Sequence, residues 1–390
     1  MSLANIPFDQ ISEADLIRLV DIGVSEGKLY EFKSRQYGRS DADIKEFLKD
    51  LSSFANELGG HLIVGVREED GVAVELTPIV GISPDEELLR LESLARDGLE
   101  PRIPGLQMRV VTAAAGGLYL VLRIPKSWQG HRVSARGTNR IYGRSSAGAF
   151  ELSMVELRSL FTQSSSALDR IGGFRAERLA RLNVNDGIVP LADDQGRVVV
   201  HFCPMSSFAG PFSLDIERAH ATRRSFWPLG TTSCSSRINF EGVINERGGD
   251  QCHGYTQIFR NGCIEATKVR ATNGNGFIPS QSIEQAIIEK LGDYMDGLQS
   301  LEIPVPVVVM ISLQGVYGAR VGTQVRSDPD DLPPPLRTDQ LELPEVIILD
   351  YGSAVSYQAA VRPAFDALWN VAGYARSQNF DVEGRWRPRT

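Results

Sequence analysis

Along the first part of the chain the spacing of apolar and polar positions changes period several times, and each change predicts an element. Leu16, Leu19 and Val20 follow Ser12 and Asp15, which have the form of a capping box, so a helix ends near Gly23. From Leu29 to Lys33 the positions alternate. This predicts a strand with Tyr30 and Phe32 on its apolar face and Glu31 and Lys33 on the other. Helical spacing returns over 41–58 through Ile44, Phe47, Leu48, Leu51, Ala55 and Leu58, with Ser40 or Asp41 as the cap. Gly59 and Gly60 stop that helix, and the apolar run 62–66 reads as a buried strand that delivers Glu68, Glu69 and Asp70 to its far end. A short strand within 72–82, a helix over 84–97 opened by Pro84, and a hairpin of 107–113 with 118–125 follow. Mixed strands and helices in this order predict an α+β fold, a sheet with packed helices.

A short helix over 153–161 closes this domain, and Ser164, Ser165 and Ser166 mark the boundary. An arginine-rich helix carrying Arg170, Arg175, Arg178 and Arg181 then runs to about Leu182. The rest predicts a second α+β domain. Its strands fall at 198–203, 237–245, 305–313 and 346–350, with a hairpin of 255–259 and 264–269 about Asn261 and Gly262. A helix from Ser280 or Ser282 to Leu298 and a last helix over 357–377, with Pro363 in its first turns or kinking it, complete the pattern. The proline-rich stretch 327–335 reads as an exposed loop. The expected organisation is 1–163, a connecting helix at 164–183, and 184–390.

Composition narrows the chemistry. With 390 residues and a net charge of −8, the chain is not a uniformly basic coat, so a nucleic-acid site has to be a local patch. Such a patch is visible in Arg123, Lys126, Arg132, Arg136, Arg140 and Arg144, interleaved with Trp128, His131 and Tyr142 and free of Asp and Glu. A run of one sign either faces a polyanion or is a solvated loop. The four cysteines share no metal-ligand spacing, and no apolar run approaches a membrane span; reduced thiols in a cytoplasmic protein are expected. His61 and His201 lie inside apolar strands and read as satisfied core residues, and no phosphate loop of the GxxxxGK[ST] form occurs. The sharpest chemical reading is a convergence of carboxylates from two strands. Glu26, Glu31 and one of Glu68, Glu69 or Asp70 would hold Mg²⁺ or Mn²⁺, with Lys33 beside them on a phosphate oxygen.

Glu26, then Glu31-Phe32-Lys33, Phe54-Ala55-Asn56, Gly59-Gly60, Gly65-Val66 and the stretch Arg140, Tyr142, Arg144 together resemble the AlbA_2, or Schlafen-type, nucleic-acid-binding domain. The resemblance covers the first domain. It implies a divalent-metal-dependent endoribonuclease acting on structured RNA such as tRNA, in an anti-phage or stress setting. Carried over by position, the catalytic set is Glu26, Glu31, Lys33 and Glu68, and the metal set is Glu26, Glu31, Glu68 and Glu69. Arg67 stands where many relatives carry an acid. Lys33, Arg35, Arg132, Arg136, Arg140, Tyr142 and Arg144 are the expected nucleic-acid contacts. The alternative is a non-catalytic DNA-binding transcriptional regulator, with Glu31 and Lys33 as a structural ion pair and the second domain sensing a ligand or mediating assembly. Because the chain holds one recognisable copy of a lobe that Schlafen cores pair, either the second half is a drifted counterpart or two chains assemble, and a homodimer is expected.

Overall fold

The structure, a computed structural model, describes residues 3, 6, 8–192, 195–208, 213–248, 251–322 and 332–387. It contains two compact units, Met1–Ser166 and Ala167–Thr390. The first runs α1 (Glu13–Ile22), β1 (Tyr30–Lys33), α2 (Asp41–Asn56), β2 (Gly60–Val64), β3 (Val66–Glu69), β4 (Val72–Leu76), α3 (Pro84–Gly98), β5 (Leu99–Glu100), β6 (Gln107–Thr112), β7 (Leu118–Ile124), β8 (Arg132–Ala135), β9 (Thr138–Ser145) and β10 (Gly148–Glu151), followed by α4 (Met154–Asn183). Ser12 and Asp15 form the expected capping box of α1, and Ser40 caps α2 with Asp43.

The central sheet of this unit has the order β1-β2-β7-β6, with β1 and β2 parallel and the other pairs antiparallel. Leu62, Val64, Leu120 and Leu122 bury one face against Phe47, Leu48, Leu51 and Phe54 of α2. Tyr30, Phe32, Ile63 and Val121 bury the other face with Leu16 and Leu19 of α1. A sheet covered on both sides accounts for the unbroken apolar run of β2. The second sheet, β10-β9-β8-β5, carries the arginine-rich hairpin.

Two expectations for this unit change. Residues 62–66 are not one strand: Gly65 takes φ +101, and the chain leaves the sheet there, so β3 pairs with β4 in a separate two-stranded ribbon. Helix α4 starts at Met154 and runs unbroken to Asn183 across the three serines. Serine costs a helix only about half a kcal/mol relative to alanine, which the buried positions Leu160, Ala167, Ile171, Leu179 and Leu182, at helical spacing, outweigh.

The second unit adds β11 (Arg197–Pro204), α5 (Ile216–Ala221), β12 (Ser235–Asn239), β13 (Gly242–Arg247), β14 (Gly254–Phe259), β15 (Ile264–Val269), β16 (Phe277–Pro279), α6 (Ser280–Ser300), β17 (Val307–Gln314), β18 (Arg320–Gly322), β19 (Gln340–Glu342), β20 (Val346–Ile348) and α7 (Ala354–Asn370). Its large sheet has the order β12-β13-β14-β15-β11-β17-β19, with β20 on the other half of β17. The strand expected at 237–245 is two strands, because Asn239 Oδ1 accepts from the Gly242 N–H at 2.8 Å and turns the chain. Helix α7 contains Pro363 and ends at Asn370, short of the expected 377. Residues 327–331 of the expected proline-rich loop lie outside the described residues.

One face of this sheet is apolar and packs under α6 and α7 through Val200, Phe202, Ile264, Ala266, Val309 and Ile311. The opposite face is polar yet buried, with His201, Gln257, Glu265, Thr267, Ser312 and Gln314 all at 0% exposure. Arg178 of α4 grips both oxygens of Glu265, at 2.9 and 2.8 Å, while His201 Nε2 lies 2.9 Å away and the Tyr255 hydroxyl donates at 2.6 Å. Glu284 of α6 is buried too. It accepts from Trp369 Nε1 at 2.6 Å, Ser377 Oγ at 2.9 Å, Asn379 Nδ2 at 2.7 Å and Trp386 Nε1 at 2.8 Å.

Candidate functional site

Strand alternation puts Glu31 and Lys33 on the α2 face of β1, as the sequence predicts, and α2 answers them with carboxylates of its own. Lys33 Nζ lies 2.8 Å from Glu31, 3.0 Å from Glu46 and 3.9 Å from Asp50. Burial alone would lower this lysine, but Asp50, Glu31 and Glu46 outweigh it and raise its pKa above the ordinary value. The other Glu31 oxygen accepts from Arg144 of β9, whose guanidinium also donates to Gly27 O at 2.5 Å and sits 4.0 Å from the Phe54 ring centroid. Burial pushes Glu31 up; its two cationic partners win and hold it below the usual carboxylate range. Asp50 is the exception in this cluster. Buried, and facing the Glu31 charge, it is pushed up to about 6 despite Lys33 and a 2.7 Å hydrogen bond from the Tyr37 hydroxyl.

Glu26 and Glu68 lie near this cluster, each with a hydrogen bond of its own. Glu26 Oε1 accepts from the Phe32 N–H at 2.7 Å, and burial, then the charges of Glu31 and Glu68, raise its pKa. Glu68 closes its own turn, accepting from Gly71 N–H at 2.6 Å. Glu69 pairs with Arg67, which also bridges to Glu75 at 2.8 Å. The break at Gly65 puts Glu68 and Glu69 on the β3-β4 ribbon, whose turn stays beside Glu26 because the Glu26 N–H donates to Gly71 O at 2.6 Å. Among the described residues, no three His, Cys, Asp or Glu side chains are grouped as a metal ion requires. Of the expected set Glu26, Glu31, Glu68 and Glu69, Glu31 and Glu69 are engaged by cations and Glu68 by its own turn, so Mg²⁺ or Mn²⁺ would have to displace these partners.

The basic stretch lies on the β8-β9 hairpin and its neighbours. Arg132 reaches Glu100 at 2.6 Å, Arg136 reaches Asp41 at 3.3 Å and Arg140 reaches Glu151 at 2.7 Å, all between exposed side chains. Pairs of this kind contribute roughly 0–1 kcal/mol and exchange readily for phosphate. Arg35 is exposed just beyond β1. Arg144 and Tyr142 do not join this surface: Arg144 is 2% exposed and bound to Glu31, and Tyr142 packs half-buried against the α2 core.

Residues 26–153 match a family model described as Schlafen, AlbA_2. The first unit carries a Schlafen AlbA_2 domain. That family points to nucleic-acid binding. The chain is also similar to the solution structure of the N-terminal domain of a RecG-related protein from Nitrosomonas europaea, at 22% identity and TM-score 0.23, over 30% of this chain and 74% of that one. A crystal structure of a Corynebacterium diphtheriae protein matches at 12% identity and TM-score 0.26, over 93% of this chain, which spans 62% of that protein's length. None of the curated proteins matches.

In this AlbA_2 domain the motif residues have structural work. Asn56 donates to the carbonyls of His131, at 2.9 Å, and Tyr142, at 2.8 Å, and accepts from the His131 N–H at 2.7 Å, tying α2 to the arginine hairpin. Gly59 takes φ +72, and a Cβ there would come 2.6 Å from the Lys126 nitrogen, so no side chain fits. Sequence reasoning missed Glu46, Asp50 and Tyr37. The signal was present for Asp50, which sits three residues after Phe47 and four before Phe54, on the buried stripe of α2.

Asp50 makes a pH prediction. Its folded pKa, about 6, lies above the ordinary aspartate range, so the folded state holds the proton more tightly and stability falls as pH rises through that window. Asp50→Asn removes this loss. Relative to wild type, the variant's first unit should gain about 3 kcal/mol between pH 4 and pH 7, read as hydrogen-exchange protection of its peptides. An unchanged difference across that range would contradict the burial account.

Proposed function

We propose that the protein binds nucleic acid through its AlbA_2 domain without cutting it, the exposed arginines of the β8-β9 hairpin taking phosphates. The observation that carries this reading is the state of Glu31, which is neutralised on both sides by Lys33 and Arg144 while Arg132, Arg136 and Arg140 pair with exposed surface carboxylates. A domain organised this way presents cations outward and keeps its acids engaged. Fluorescence anisotropy with labelled tRNA and with duplex DNA, over a salt series, tests it. Replacing Arg132, Arg136 and Arg140 by alanine together should weaken binding and reduce the slope of log affinity against log salt by about 2–3. An unchanged slope would remove these side chains from the interface.

The second reading is the metal-dependent endoribonuclease, with tRNA as substrate. One observation favours it: Glu31 and Glu68 are near enough to Glu26 for their charges to raise its pKa. Incubation of the same tRNA with Mn²⁺ or EDTA, beside Glu26→Gln and Glu31→Gln, separates the two. Metal-dependent cutting lost in both variants establishes the nuclease, whereas intact tRNA that is still bound supports the binder.

A further inference from the structure

At one end of the second unit's large sheet, four basic side chains surround a single loop. Arg247 of β13 and Lys268 of β15 occupy one cross-strand row, facing the same side, with Gly254 of β14 between them. Residues in register share a face, and glycine has no side chain to stand between the two cations. The loop 227–234 lies beside this row. Asn245 Nδ2 donates to the carbonyls of Arg223 at 2.8 Å and Phe226 at 2.7 Å, and the Tyr294 hydroxyl donates to Trp227 O at 2.6 Å, which fixes the start of that loop on the sheet. A methyl group at Gly230 would stand 3.2 Å from Lys268 Nζ, so the ammonium lies against the loop's exposed turn. Cys234 leads into β12, whose first pair is Ser235 with Glu246, and so meets the Arg247 end of the row. The charges of Lys290 and Arg223 reach its thiol.

Among the described residues, counter-charge is sparse here. Lys290 lies 3.7 Å from Asp293, Arg223 donates to the His220 carbonyl at 2.8 Å, and Glu289 exerts the one carboxylate influence resolved on Lys268. Among the described residues, Lys268 and Arg247 have no ion pair. Burial lowers the Lys268 pKa, the like charge of Arg247 adds to this, and Glu289 does not restore it. A half-buried ammonium beside a guanidinium is a repulsive arrangement unless an anion enters. The groups left open, a point charge and a planar fork, are the pair that grips tetrahedral oxyanions.

We propose that this corner is a phosphate-binding site, in which Lys268 and Arg247 hold the phosphate group of a nucleotide or of a nucleic-acid backbone, with Arg223 and Lys290 on the facing wall. The site lies wholly within the second unit and is independent of the AlbA_2 reading. The full chain is titrated with inorganic phosphate, AMP and a short single-stranded RNA lacking terminal phosphates, at ionic strength held constant with NaCl. Binding is read from Trp227 fluorescence and thermal melting. Lys268→Gln and Arg247→Gln are each expected to weaken binding about tenfold or more, with Arg376→Gln as a charge-matched control that leaves it unchanged. A response to phosphate or AMP that both variants lose supports a small-ligand site. A response confined to the RNA, and weakened by both variants, supports a backbone site. The proposal is overturned if no probe binds, or if wild type, both variants and the control bind every probe alike.

Discussion

Arg144→Ala is expected to destabilise the first unit by about 3–5 kcal/mol, because it leaves a buried carboxylate short of a partner and a buried hole beside it. Arg144 is 2% exposed, and its guanidinium binds Glu31, the Gly27 carbonyl and the face of Phe54 at once. Lysine does not rescue it. An ammonium lacks the planar fork that reaches the Glu31 carboxylate and the Gly27 carbonyl together, so Arg144→Lys should recover only part of the loss. Hydrogen exchange of peptides from α2, β1 and β9 checks both variants against wild type. Wild-type protection in Arg144→Ala would mean that Lys33 alone keeps Glu31 satisfied.

An effect of similar size, about 3–5 kcal/mol, is expected in the second unit from Arg178→Ala. Glu265 has 0% exposure and depends on Arg178 for two of its hydrogen bonds. Burial would raise its pKa, but His201 and Arg178 win and hold it below the ordinary value. A depressed carboxylate stabilises the fold above its unfolded pKa, and the contribution is lost as pH falls toward the folded value. The gap between wild type and Arg178→Ala should therefore be widest near neutrality and narrow on acidification. Urea unfolding at several pH values, followed through peptides of β15, measures this, and a gap that widens in acid would reverse the assignment.

Much of the first unit can be read from the chain because its signals are local. Alternation around Tyr30 and Phe32, the stripe of α2 and the capping box at Ser12 each depend on neighbours a few residues away. The strand break was missed for an equally local reason: an apolar run from Leu62 to Val66 looks continuous, and the turn imposed by one glycine moves the following acids onto a separate ribbon. Partners far apart in sequence were out of reach. Nothing near Glu31 announces Arg144, more than a hundred residues later, and nothing near Glu265 announces Arg178. The buried polar face of the second sheet was hidden too, because β11 and β17 read as apolar strands while His201, Ser312 and Gln314 fall on one side of them.

The Glu284 carboxylate sets a practical limit on how this polypeptide can be shortened. Three of its four donors, on Ser377, Asn379 and Trp386, lie beyond the end of α7 at Asn370. Cutting the gene back to the last helix would strip a sealed anion of nearly all its solvating groups and invite water into the space beneath α6. Any recombinant version meant to stay intact has to keep the stretch through Trp386, and an affinity handle belongs after it.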